Sequence, residues 1–450
     1  MRVKRIWETD WKKYLFLFFG IVAAMPIIRV SRFTAFVWGL MALFFAVIGL
    51  WFWQGKFRIS KYVERSYLLM ATAAAVSYLL AVLRMQEPWS SGLMTSLIQF
   101  FAVLVIYMFF SEGRYLELLN HYVKGIYYSA VIQTGWAFLQ LFLWKLGIDL
   151  NNLVFRDLFH FVSSTESATH IQQGALKLSG FCWNGANLAP LVIFGFFYTK
   201  NPWMQLVFIA ISFLSGSRTL MFAMLFALAL KALGLLFVNK KTGRTTAFIL
   251  ISAVILGGAG VVVLWDRVFP IIQRTAALMN VFKNVSTEGS TNTHAFYLTS
   301  VFSAARKNDL LSNLFGYGPG NSGYVFTNFF GYYPEIGKWA VECDYIDRLW
   351  AYGFVGFILY YYWYLRNIFR SFSADSRQGA MFLVFLLMGF MYNITFNWVA
   401  LLVMFIFILN RHGVPVFEGM EAAAPSGDHT EEVYGSAKNN GLSIGYHSHI

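Results

Sequence analysis

The chain has 450 residues, of which 58% are hydrophobic, 19% are aromatic and only 13% are charged. A soluble protein of this size carries more charge on its surface and needs fewer apolar residues in its core. The formal net charge of +13 does not indicate a nucleic-acid partner, because the lysines and arginines lie in short connections between apolar blocks. Composition therefore predicts a protein that is integral to a membrane.

Apolar blocks recur from one end of the chain to the other, and most approach the roughly 17 to 22 residues that cross a hydrocarbon core. Read in chain order, they predict an all-α fold, a polytopic transmembrane helical bundle of about 12 spans. The predicted spans cover residues 14–28, 33–53, 66–83, 92–110, 126–146, 181–198, 203–214, 219–238, 247–265, 348–366, 379–393 and 397–410.

Basic residues orient these spans. The N-terminal segment up to Lys13 is basic and predicts a cytoplasmic N-terminus with a retained signal anchor, without a cleavable signal peptide. Alternation then places every further basic connection on the same side, including those around Arg58, Arg114, Lys240 and Arg370. Both termini are predicted to be cytoplasmic, in a multi-pass membrane protein.

Two long segments are left on the extracytoplasmic side, residues 147–179 and 266–347. Segments of this length are more often functional than simple connections. In the larger one, residues 268–285 predict a helix that lies either in the membrane interface or packed under the loop, and residues 294–308 predict a second helix. The glycine-rich residues 316–323 predict a turn.

The transmembrane domain is predicted to cover residues 1–410, followed by a disordered cytoplasmic tail over residues 411–450. No metal or cofactor is predicted. The two cysteines, Cys182 and Cys343, fit neither a disulfide framework nor a metal site. His160, Glu166 and His170 are too loosely spaced for a metal site, and contact with a sugar is the alternative role for them.

Arg218 interrupts a nearly uncharged run in the stretch LSGSRTLMFA, residues 214–223. A guanidinium at bilayer depth costs at least about 2.5 kcal/mol, so it requires a partner or a function. Ser217 and Thr219 are suited to capping the following helix, whose N–H groups and dipole favour an anion. The pattern predicts a phosphate or pyrophosphate site at the outer mouth of a helical hairpin. The alternative is an arginine that reaches lipid headgroups or pairs with a structural carboxylate.

Four segments together resemble the bacterial superfamily of O-antigen polymerases and O-antigen ligases. They are LKLSGFCWNGANLAP (176–190), SGSRT (215–219), NLFGYGPGNSG (313–323) and YIDRLWAYGFVGFILY (345–360). Each motif alone is weak, but their order and their placement around one large outer loop are more specific. The resemblance covers roughly residues 176–366, and the first five spans resemble the family only in being hydrophobic.

The resemblance implies a metal-independent, inverting glycosyltransferase at the outer face of the inner membrane. Its substrate is a glycan linked to undecaprenyl pyrophosphate. A polymerase transfers the growing glycan to a new lipid-linked repeat unit, whereas a ligase transfers it to lipid A-core. A chain-length regulator and a flippase are the partners such a polymerase implies. By the family pattern, arginines hold the pyrophosphate, and Arg218 is the matching position.

The chain departs from the family pattern at four positions. Ligases resemble one another in an outer-loop histidine eleven residues before the first glycine of G-x-x-G, where this chain has Glu342, followed by Cys343, ahead of Gly353. This difference favours the polymerase over the ligase. His294 stands where a second arginine usually opens a helix, and Lys177 stands where an arginine is common.

The expected reaction needs a cationic clamp for the departing pyrophosphate and a base at the acceptor hydroxyl. Arg218 is the first clamp residue, with Ser217, Lys177 and Arg348 as substrate-binding candidates; the alternative for Arg348 is an interfacial anchor. For the base, Glu342 is the first candidate. Its acidic neighbours form either part of the site or a structural ion-pair cluster with Arg348, namely Asp344 and Asp347.

His294 either binds phosphate, serves as the base, or is structural. The aromatic residues after the glycine-rich turn either stack on sugar rings or anchor the loop at the interface. They include Tyr317, the aromatic residue chosen as a substrate-binding candidate, and Tyr324, Phe326, Phe329, Phe330, Tyr332 and Tyr333.

The rival function from another class is a flippase or transporter of lipid-linked oligosaccharides. That function predicts several charges in the middle of spans and two related halves. The charges inside the predicted spans are few and lie near span ends, chiefly Lys145 and Lys231, and the chain has no convincing internal repeat.

Overall fold

The computed structural model describes residues 2–24, 65–84, 116–165, 167–169, 171–172, 175–181, 185–237, 296–298, 300–330, 341 and 343–392, with isolated positions 39, 43, 46 and 50. The helices in these residues are α1 (Arg2–Ala23), α2 (Arg65–Arg84), α3 (Leu116–Lys145), α4 (Gly185–Tyr198), α5 (Pro202–Leu214), α6 (Arg218–Phe237), α7 (Val301–Lys307), α8 (Leu310–Phe315), α9 (Tyr324–Phe330), α10 (Asp344–Ala374) and α11 (Ser376–Met388). A π-helix covers Asn152–Leu158.

The predominantly helical character predicted from the sequence is confirmed. A helix lies at each predicted span that falls within the described residues, namely α1 to α6, α10 and α11. The smaller loop adds a two-stranded antiparallel hairpin, β1 (Ile171–Gln172) with β2 (Ala175–Leu176). No helix among the described residues combines the length and apolar character that membrane crossing requires.

Several predictions fall outside the described residues. They are the spans at 92–110, 247–265 and 397–410, nearly all of the span at 33–53, the helix at 268–285 and the tail at 411–450.

The helices α1 and α3 cross in close contact through two glycines. A Cβ on Gly20 would lie 2.0 Å from the carbonyl oxygen of Tyr122, and a Cβ on Gly125 would lie 2.2 Å from that of Leu17. Only glycine permits the two backbones to approach this closely, as in the small-residue crossings of membrane helices. This crossing fixes α1 against the middle of the bundle.

The main core is formed where α4, α6 and α11 pack together, with α3 against α4. Every apolar residue of α4 from Leu188 to Phe197 is buried, so this helix lies at the centre of the described bundle. A helix that is apolar on all sides is the kind expected at such a position. Two of its residues, Gly185 and Asn187, lie at the end of the bundle that carries the candidate site.

The long helix α10 is interrupted at Gly353, which has φ 67° and ψ −176°. This conformation is left-handed in φ and is open to glycine at little cost. The interruption removes the normal intrahelical donors for the carbonyl groups just before it. Buried carbonyl groups need replacement partners.

The glycine-rich turn supplies those partners. The N–H groups of Tyr317 and Gly318 donate to the carbonyl oxygens of Trp350 and Ala351 at 2.8 and 2.9 Å. The Ser77 hydroxyl on α2 donates to the Ala351 carbonyl as well. The predicted turn is thus confirmed, and three of its glycines have positive φ: Gly316, Gly318 and Gly320.

Gly353→Ala is expected to destabilise the protein strongly. A Cβ there would lie 2.3 Å from the Leu314 carbonyl carbon, and the positive φ alone costs roughly 1–3 kcal/mol for other residues. Gly135→Ala is the control, because Gly135 is helical, exposed and has no neighbour within 4 Å of an added Cβ. The thermal-unfolding midpoint of each purified variant should fall for Gly353→Ala and hold or rise for Gly135→Ala. Equal unfolding midpoints for the two variants would contradict the requirement for glycine at the helix break.

Candidate functional site

The turn between α5 and α6 places Arg218 at the first position of α6. Ser215 ends α5, with its N–H donating to the Ile211 carbonyl, and Gly216 turns the chain with φ 66°. The Ser217 hydroxyl accepts from the Leu220 N–H at 3.4 Å, so the predicted cap by Ser217 is confirmed. Arg218 is partly buried at an N-terminus whose dipole is positive.

Lys177 joins Arg218 at this helix end. Its Nζ donates to the Gly216 carbonyl at 2.7 Å, and the neighbouring Leu178 N–H donates to the Ser215 carbonyl at 3.1 Å. Partial burial and the nearby charge of Arg218 lower the pKa of Lys177 below its ordinary value. Burial also lowers the pKa of Arg218. Two like charges are therefore held together where a helix N-terminus adds further positive potential, an arrangement that an anion would stabilise.

The start of α4 lies against this group. A Cβ on Gly185 would come within 2.6 Å of the Ser217 Cβ, so glycine is required for the approach. Two residues on, the Asn187 side-chain oxygen accepts from the Tyr392 hydroxyl at 2.6 Å. Tyr392 follows α11, so this contact links the Lys177 and Arg218 group to the end of α11.

A second charged cluster lies at the start of α10. Arg348 Nε is 3.5 Å from Asp344 Oδ1, and its Nη2 is 3.7 Å from Asp347 Oδ2. Arg348 also donates to the Tyr352 hydroxyl at 2.9 Å. Arg348 is only 3% exposed, so the interfacial-anchor alternative is wrong and the ion-pair alternative describes its geometry. The Asp344 N–H donates to the Gly389 carbonyl at 2.8 Å, which ties this cluster to α11 as well.

Asp347 is fully buried and holds Ser322 and Val341, which precede α10 in the chain. Its Oδ1 accepts from the Ser322 hydroxyl and from the Val341 N–H, the latter at 3.2 Å. The remaining two catalytic candidates, Glu342 and His294, lie outside the described residues, so their roles stay predictions. Burial raises the pKa of the adjacent Cys343 thiol to about 12, which keeps it a neutral, unreactive group.

Tyr317 is placed differently from its predicted substrate-binding role. Its ring is buried in a small core with Phe326 and Val325, and its hydroxyl donates to the Asn308 side-chain oxygen. Its backbone N–H donates a hydrogen bond to the Trp350 carbonyl. The aromatic density after the turn indicated a sugar surface, but at Tyr317 and Phe326 it instead fills the core beneath the loop.

The smaller loop is an ordered element around Asn151. The fully buried Asn151 amide accepts from Trp136 Nε1 at 2.8 Å and donates to the carbonyl groups of Ala168 and Gly180. These bonds connect the loop to the segment that carries Lys177. Sequence patterns do not distinguish this asparagine from others, because its role depends on contacts across 15 to 29 positions of the chain.

Anion binding at Lys177 and Arg218 is expected to weaken as the pH rises through the lowered pKa of Lys177. The ammonium binds the anion, so a lowered pKa removes the charge at a pH below the ordinary range near 10.4. Affinity for inorganic pyrophosphate, measured by calorimetry across the alkaline range, should therefore fall earlier than for Lys177→Arg, which keeps its charge. Identical profiles for the two proteins would contradict a contribution from Lys177.

Arg348→Met is expected to destabilise the fold by roughly 3–5 kcal/mol, because it leaves two buried carboxylates without their cation. Adding Asp347→Asn to that variant should recover part of the loss. Arg156→Met is the control, since the Arg156–Asp157 pair at 2.7 Å is solvent-exposed and such pairs contribute at most about 1 kcal/mol. Denaturant unfolding measures the free energy of unfolding of all three variants. A loss for Arg348→Met no larger than for Arg156→Met would contradict the buried cluster.

Comparisons with known proteins add no relative. No family model, no curated protein and no solved structure matches this chain. The likeness to the O-antigen polymerase and ligase superfamily therefore depends on the motifs alone, and the function is argued from them together with the geometry above.

Proposed function

We propose that the protein is a polysaccharide polymerase of a bacterial inner membrane. It transfers a growing glycan from undecaprenyl pyrophosphate to a lipid-linked repeat unit on the extracytoplasmic side, by a metal-independent inverting reaction. The observation that carries the proposal is the pairing of Lys177 with Arg218 at the N-terminus of α6. A lipid diphosphate is the anion that suits such a pair in a chain so rich in apolar residues.

The membrane setting is supported by the sequence and by the helix surfaces. A soluble protein rarely exposes large contiguous apolar areas. Among the described residues, large apolar side chains are exposed on several helices, while several polar side chains are buried. The exposed ones include Leu69, Leu79 and Leu83 on α2, Leu139 and Phe142 on α3, Leu206 and Phe213 on α5, Phe222 and Leu225 on α6, and Ile358 on α10.

The proposed chemistry uses charge stabilisation. The acceptor sugar hydroxyl attacks the anomeric carbon of the donor, the bond from that carbon to the pyrophosphate oxygen breaks, and the configuration inverts. Negative charge accumulates on the departing lipid pyrophosphate, where Lys177, Arg218 and the N–H groups of α6 stabilise it. The acceptor proton passes to a base, for which Glu342 remains the proposed residue.

The buried cluster at the start of α10 has a supporting role in this proposal. Asp344 and Arg348 form a buried ion pair, and each also bonds a tyrosine hydroxyl, so in this proposal they act as a frame rather than as direct ligands. Glu342 immediately precedes the Cys343 cap of α10 in the sequence.

Arg218→Ala is expected to abolish long-chain glycan while single repeats still reach their acceptor, because only chain extension needs the clamp. Arg218→Lys should retain part of the extension, since it keeps the charge without the planar fork. Arg306→Ala is the matched control, because it also removes an arginine, but at the exposed end of α7. Gel banding of surface glycan from strains carrying each variant measures the outcome.

The banding pattern also separates the rivals. Normal chain length with Arg218→Ala would contradict the clamp. Loss of every glycan, including the single repeat on its acceptor, would favour a ligase. Loss of repeat-unit exposure on the outer leaflet in a deletion strain would favour a flippase.

A further inference from the structure

The segment that carries Lys177 is held by side chains from two other elements. Gln133 and Gln140 on α3 accept through Oε1 from the N–H groups of Phe181 and Ser179, at 2.6 and 3.5 Å. Asn151 donates to the Gly180 carbonyl at 3.3 Å. Side chains thus partner three successive backbone positions of this segment.

The burial of these two glutamine side chains is energetically unfavourable. Both are fully or almost fully buried, and their Nε2 groups have no hydrogen-bond partner among the described residues. A buried unpartnered donor costs about 1–3 kcal/mol, so an apolar residue would serve packing better at either position. What the glutamines contribute instead is an acceptor for a backbone that has no strand or helix partner there.

The fit against α3 is tight. Gly180 has φ 61°, and a Cβ on it would lie 2.7 Å from Gln133 Oε1 and 2.9 Å from the Gln133 carbonyl oxygen. The chain therefore passes directly over Gln133, and its path is fixed three residues after Lys177. At the other end of the segment, Leu178 bonds to the Ser215 carbonyl.

We propose that Gln133, assisted by Gln140 and Asn151, is a positioning residue that holds the Lys177 ammonium beside Arg218. The ligand of that pair, a diphosphate, rests on the proposed function. The positioning itself does not depend on it. Without the brace, the hydrogen bonds to the Gly216 and Ser215 carbonyls would have to hold Lys177 at the mouth of α6 against its repulsion from Arg218.

The test measures Lys177 directly. Acylation of the Lys177 amine at a series of pH values, read by mass spectrometry on the full-length protein, gives its pKa without any ligand. Gln133→Met keeps the length of the side chain and removes the acceptor, so the pKa of Lys177 should rise toward that of an ordinary lysine as the amine moves into solvent. Gln140→Met should shift it less and in the same direction, because its hydrogen bond is longer. Should Gln133→Met fail to fold, Gln140→Met carries the test.

Thr134→Val is the matched control. Thr134 is buried on the same helix next to Gln133, and its hydroxyl has no partner among the described residues. The labelling profile of Lys177 should stay unchanged in this variant. The inference is overturned if both glutamine variants label like wild type, or if Thr134→Val shifts the profile as much as they do.

A second arm separates this inference from the proposed function. Inorganic pyrophosphate should protect Lys177 from acylation in the wild-type protein and protect it at least tenfold less well in Gln133→Met. Absence of protection in wild type, with the pKa shift still present in Gln133→Met, would reject the diphosphate site and leave the brace standing. Equal protection in both proteins would reject the brace.

Discussion

The interruption of α10 at Gly353 is the constraint on which the packing of the glycine-rich turn and the start of α10 depends. It leaves the carbonyl groups of Trp350 and Ala351 without intrahelical donors in buried surroundings, where an unpartnered carbonyl is costly. The N–H groups of Tyr317 and Gly318 meet that need. Because those donors belong to the glycine-rich turn, one break in a helix fixes the end of the large loop against the bundle.

The same break determines how charge is distributed around the site. It separates a short N-terminal piece of α10 from the rest of the helix, and this piece carries the buried Asp344, Asp347 and Arg348. Two acids in the first turn are favoured by the helix dipole, and Arg348 pairs with both of them. Because this cluster has two carboxylates and one guanidinium, it offers an anionic substrate no excess positive charge. The partly buried pair of Lys177 and Arg218 differs, because both residues are positively charged. Burial and the charge of Arg218 lower the pKa of Lys177. We infer that anion binding belongs to this pair and that α10 supplies the frame.

Much of this architecture could be predicted from the sequence. The features that could not be predicted depend on contacts that local sequence patterns do not specify. Hydrophobic blocks predicted the positions of α2 to α6, Ser217 before an apolar run predicted a helix cap, and the glycines of residues 316–323 predicted a turn, because each of these signals is local. The packing of Tyr317 was not predicted, because it depends on contacts with Asn308 and Trp350. For Arg348 the sequence left two alternatives open, and its pairing with the neighbouring Asp344 and Asp347 matches the ion-pair alternative. The turn that carries Tyr317 was recognised, but its docking into the break at Gly353 was not.

Gln133 illustrates the same limit at the site itself. A single glutamine in an apolar helix is a weak indication of a functional role. Nothing near Gln133 in the sequence indicates that it accepts a hydrogen bond from the Phe181 N–H, 48 positions away. Its significance follows from the way that like charges are assembled. Lys177 and Arg218 repel each other, and the Gly216 carbonyl and the side-chain amide of Gln133 are neutral groups that offset this repulsion. Neutral acceptors suit this purpose, because a carboxylate in place of Gln133 would neutralise the potential that an anion needs. Buried amides are therefore the expected support for a cationic site that must stay cationic until its ligand arrives.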